Sequence, residues 1–136
     1  MDALREAIYG ALVTDPTLTG LLSDPEAIFH RKAPQNARYP LIIFHRQAST
    51  DRYAMGPDPL SSELWTVKAV DRGSTSSDVD DIASRILVVL NDAQLALDTG
   101  ALLYLRRASQ IDYGEVEGAD QLHHVGGVYR AIVDSA

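Results

Sequence analysis

An α+β domain with a mostly antiparallel or mixed sheet is what this sequence predicts, on three observations. Two segments carry apolar residues at helical spacing. Five shorter runs have strand character, and most of them are joined by connectors too brief for parallel crossovers. The predicted order is α-β-β-β-α-β-β, about five strands with both helices on one face. At 136 residues, 46% of them hydrophobic and 23% charged, the chain is expected to form one domain, 1–136, with a core that needs no staples.

The clearest element is Ser76 to Asn91. Ser77 can cap it, and Asp78, Asp80 and Asp81 crowd the first turn, where free N–H groups favour negative charge. Val79, Ile82, Ala83, Ile86, Val89 and Leu90 then form one apolar stripe. Nearer the start, Asp2 can cap a first helix to Val13, with Leu4, Ala7, Ile8, Ala11 and Leu12 on its buried side. Pro16 disfavours helical geometry at Asp15, so that helix stops, and Asp15 with Pro16 can start one more turn, 17–22.

The strands follow. Residues 27–31 are a short candidate and Tyr39 to Gln47 the clearest, with Pro40 confined to its start. Residues 47–62 keep no period and hold Gly56, Pro57 and Pro59, so an irregular loop is expected there. Alternation resumes over 63–71, with Trp65, Val67 and Ala69 on one side. Two long candidates, 102–113 and 123–133, close the chain, joined through 114–120 as a hairpin. The strand at 41–44 is apolar on both faces, whereas a sheet wet on one side should alternate. Either the first helix covers the far face or a neighbouring subunit does.

Candidate chemistry is sparse. No cysteine is present, so neither a disulfide nor a thiolate zinc site can form. His123 and His124 are adjacent on a strand and point to opposite faces, which prevents them from meeting one metal ion. His30 and His45 sit in two copies of Phe-His-Arg, a coincidence of wording. The first-turn acids are explained by the helix dipole without a cation. Gly126-Gly127 lacks a phosphate-loop frame and reads as a bulge or a close backbone approach. No serine sits in a nucleophile elbow, and Arg106-Arg107 is a small basic patch on a chain of net charge −7. That balance argues against tight binding of DNA or anionic lipid. The opening segment has no signal-peptide pattern, and no apolar run approaches a membrane span. No enzyme, no metal and no cofactor is expected. Arg52, Tyr53 and Met55, residue types enriched at interface cores, make the expected irregular loop a candidate assembly contact.

The run of elements also resembles a known family, the tail-completion or tail terminator proteins of long-tailed bacteriophages and related tail-derived particles. The likeness lies in LREAIYGALVTDPTLTGLL, then IFHRKAPQNARYPLIIF, then ELWTVKAVDRGSTSSDVDDIASRILVVLND, and finally LLYLRRAS and HHVGGVYRAIV. It covers nearly the whole chain. The resemblance implies a structural virion protein at the head-proximal end of the tail, assembled in the host cytoplasm. Its copies would form a homo-oligomeric, commonly hexameric, ring that stops polymerisation of the tail tube protein and presents a surface to the head–tail connector. DNA would pass the lumen without specific binding. Two other readings stay open: a head–tail joining protein, and a small α+β domain holding a ligand between helix and sheet.

Overall fold

The computed structural model describes residues 2–53, 59–73 and 77–134. It contains α1 (Ala3–Val13), α2 (Pro16–Thr19), β1 (Ile28–His30), β2 (Leu41–Tyr53), β3 (Pro59–Arg72), α3 (Ser77–Leu90), β4 (Ala101–Glu117) and β5 (Asp120–Asp134). The order is the predicted one, with α2 as the extra turn after Pro16.

Local chemistry accounts for the helix starts. Asp2 accepts the N–H groups of Leu4 and Arg5 at 3.0 and 3.1 Å, and Asp15 accepts that of Leu18 at 3.0 Å with Pro16 at the first helical position. Leu4, Ile8 and Leu12 of α1 and Val79, Ile82, Ile86 and Leu90 of α3 are buried.

The strands form one sheet in the order β1-β2-β3-β5-β4. Only β1 and β2 pair in parallel; the other three pairings are antiparallel. Phe44, Trp65, Val67, Ala69, Tyr129 and Ala131 share the face that the helices cover, and Tyr9 of α1 stacks on Phe44 at 6.4 Å. Since α1 and α3 lie on this same face, α1 does not roof the other one. There, Leu41 and Val70 at one end are buried, and Ile43, Leu64, Val128 and Ile132 are half-buried among polar groups.

The irregular loop expected at 47–62 is mostly strand. β2 runs on to Tyr53 and β3 begins at Pro59, paired from Ala48↔Leu64 to Tyr53↔Pro59. Polar residues fall on both faces of this arm, so no period marks it, and backbone pairing carries it. Pro59 is tolerated as the first residue of its strand. Likewise the connector 114–120 shrinks to the two-residue turn Gly118-Ala119, with Gly118 at φ 64°.

Gly126 and Gly127 prove to be sites of close approach, and β5 keeps an unbroken register through them. A Cβ on Gly126 would stand 2.2 Å from the Val67 carbonyl oxygen.

Candidate assembly surfaces

The sheet ends in two edges, and among the described residues both are partly bare. β1 covers β2 only from Ile42 to Phe44. Its chain then leaves at Arg31, whose φ of 72° turns the backbone out of the strand. The Ile42 N–H donates to Ala27 and the Phe44 carbonyl accepts from Arg31, both at 2.9 Å, so even-numbered groups face outward there. Gln47 is the extra residue of a bulge, after which Ala48 lies opposite Leu64. Alternation along β3 then turns Ala48 and Thr50 toward β3 and leaves the backbone of Ser49 and Asp51 facing outward.

The β4 edge is half closed. The Asp92 N–H donates to the Leu105 carbonyl at 2.8 Å, and the Arg107 N–H donates to Asn91 Oδ1 at 2.9 Å. An Arg106–Asp92 ion pair holds the same segment. Register shifts at Leu103 and Ala108 bend this half further. Beyond Ala108 the pairing is regular to Glu117↔Asp120. There the outward backbone belongs to Gln110, Asp112, Gly114 and Val116. Among the described residues no strand lies beyond this edge. A groove of about 340 Å³ runs between it and α3, lined by Ser84, Leu87, Gln110, Asp112 and Val125.

The two edges differ in charge. No Asp or Glu occurs between Glu26 and Asp51, where Arg31, Lys32, Arg38 and Arg46 lie. No Lys or Arg occurs between Arg107 and Arg130, where Asp112, Glu115, Glu117 and Asp120 lie. Of the basic set, Arg46 is engaged by Asp2 and Glu63 and sits 5.4 Å over the Trp65 ring; Arg31, Lys32 and Arg38 are exposed.

The face of the sheet away from the helices holds a polar row. Lys68 Nζ donates to the Tyr113 hydroxyl at 2.8 Å, and Tyr113 stacks on His124 at 4.5 Å. His124 Nε2 donates to Glu115 at 2.7 Å, while its buried Nδ1 has no partner among the described residues. Burial, aided by the Lys68 charge, holds the His124 pKa below the ordinary imidazole value, and Glu115 only partly offsets this. Burial also lowers His45, again with Lys68 adding repulsion.

A more apolar concavity of about 520 Å³ lies between α1 and β1, lined by Arg5, Glu6, Tyr9, Ile28, His30 and Phe44. It is open to the surface. Burial is the first cause that depresses the His30 pKa, with the charges of Arg5 and Arg31 next.

Arg52 and Tyr53 belong to the backbone of the β2 arm; Met55 lies outside the described residues. His123 and His124 take separate partners, the Gly73 carbonyl and Glu115. Among the described residues no three His, Cys, Asp or Glu side chains are grouped to hold a metal ion, and no helix is long and apolar enough to cross a membrane. What sequence reading missed is the pair of bare edges. The edges follow from the strand order, which no local stretch of sequence records.

Comparison with known proteins gives a concordant result. The family described as Tail completion protein gp17 matches residues 6–134. No curated protein sequence matches the chain. Among solved structures, a chain of the virion of the native gene transfer agent (GTA) particle superposes with a TM-score of 0.85 at 20% identity, over 97% of this chain and 95% of that one.

Proposed function

Because the chain belongs to the tail completion protein gp17 family, a family of structural virion proteins, we propose that it acts at the head-proximal end of a tail. There its copies close into a ring, commonly of six, that ends polymerisation of the tube protein and offers a surface to the head connector. The family match over residues 6–134 carries this reading. The whole-chain likeness to a protein of a GTA virion supports a place in a tail-bearing particle. An acidic balance of −7 suits a ring through which DNA slides without adhering.

The test is tail morphology. Particles assembled without the protein carry overlong tubes when it is the terminator. Tails of normal length, unattached to heads, would instead identify a head–tail joining protein. Light scattering on the purified chain, or on the chain mixed with tube ends, should give masses that are multiples of 14.8 kDa. A chain that stays monomeric and ignores tube ends would overturn the ring.

A further inference from the structure

The two bare edges fit each other. We propose that the outer edge of β4 from Gln110 to Val116, whose first part borders the groove beside α3, receives the β2 edge, residues 46–53, of a second copy of this chain. The incoming segment adds to the sheet as an antiparallel strand. This inference deepens the ring proposed above and rests on it.

Strand direction comes first. β1, β2 and β5 run one way, and β3 and β4 the other. Copies related by rotation about an axis along the strands keep those directions, so the β4 of one copy and the β2 of the next run antiparallel. That is the commoner and slightly more stable pairing.

Backbone supply matches as well. On β4 the outward groups of Gln110, Asp112, Gly114 and Val116 recur every second residue. On β2 those of Ser49 and Asp51 do the same. Each row presents alternating donors and acceptors with the spacing the other needs.

Charge then selects this contact over its alternatives. A β4 edge meeting a second β4 edge would bring Asp112, Glu115 and Asp120 against their own copies, and two β1–β2 edges would do likewise with Arg31, Lys32 and Arg38. The mixed contact instead brings the basic stretch 31–46 to the acidic stretch 112–120, with Asp51 the one acid within the incoming segment. Such a head-to-tail contact is heterologous and closes into a ring when the rotation closes. Val116, 78% exposed, is an apolar side chain that the added strand would cover.

The absence of native cysteine permits a direct test. Ser49→Cys is combined, one at a time, with Gln110→Cys, Asp112→Cys and Val116→Cys, and the assembled protein is oxidised. At least one pair should yield a reducible ladder of covalent multimers on denaturing gels. Ser49→Cys with Val88→Cys, on the exposed side of α3, should give none. In parallel, Asp112→Pro removes an outward N–H that β5 does not use, so the folded chain should keep its melting temperature while assembly weakens at least about tenfold. Rings visible in micrographs without cross-links above the control, or unimpaired assembly of Asp112→Pro, would overturn the edge contact and leave the ring standing. A native chain that forms no multimer under any condition, tube ends included, would overturn both.

Discussion

Arg85 grips Asp15 in a two-pronged ion pair, Nε to Oδ2 at 2.8 Å and Nη2 to Oδ1 at 2.9 Å, across 70 residues of chain. The same carboxylate caps α2 through the Leu18 N–H. It therefore ties the start of α2 to the middle of α3, and the Arg85 hydrogen bonds hold its pKa below the ordinary carboxylate value. Asp15→Ala removes both roles, and the loss of the cap alone should cost about 1 kcal/mol in chemical denaturation. Arg85→Ala spares the cap and should cost less. Because the Asp15 pKa is lowered on folding, its contribution is present above the unfolded value and fades as pH falls through the folded one. The difference between wild type and Asp15→Asn should therefore narrow in acid, below about pH 4.

Three histidines make the domain sensitive to milder acid. His30, His45 and His124 all have pKa values depressed by burial first. The unfolded chain then binds protons more readily than the folded one. Their contribution is complete above the unfolded pKa of about 6.5 and is lost as pH drops below it. Melting temperature should fall between pH 7 and pH 5, and His124→Gln should flatten that slope. A slope unchanged in the variant would remove His124 from the account.

Gly126 tests the closest approach in the sheet. A methyl group there would meet the Val67 carbonyl oxygen at 2.2 Å and Lys68 Cα at 2.5 Å, both backbone atoms. Gly126→Ala should destabilise the fold by about 3 kcal/mol, or prevent it. Gly114→Ala meets its neighbours at 3.6 and 3.8 Å and should remain within about 1 kcal/mol of wild type. Urea titrations of the two variants give the comparison.

The two faces of α3 should differ as sharply. Ile86 is fully buried, whereas Val88 is 66% exposed. Ile86→Ala is expected to cost about 2–5 kcal/mol, and Val88→Ala to stay within about 0.5 kcal/mol. Thermal or urea unfolding checks both.

Legibility in the sequence tracks how local each determinant is. α3 was expected at 76–91 and spans Ser77–Leu90, because its stripe is written within the segment. The caps at Asp2 and Asp15 were readable for the same reason. The β2–β3 arm was not. Its residues are polar on both faces, and only the partner strand shows that 48–53 are extended. Nor could composition reveal that β5 inserts between β3 and β4, which is what leaves β4 at an edge. Residue type alone singles out Arg52 and Tyr53, and the structure places them in a strand where the sequence predicts an irregular loop. The strand they belong to has a bare outer side, and that is a property of topology, invisible to any window of sequence.

Asn91 and Asp92 occupy the β4 backbone at Leu105 and Arg107, and this half-closed rim sets an offset. In the edge contact proposed above, a copy docking beyond Ala108 could not slide back level with its host, so each joint would displace the next sheet along the strand direction. In a closed circuit such displacements must be absorbed by slanting every strand against the central axis. A hydrogen bond to one asparagine side chain would thus help to set the pitch of the proposed wall.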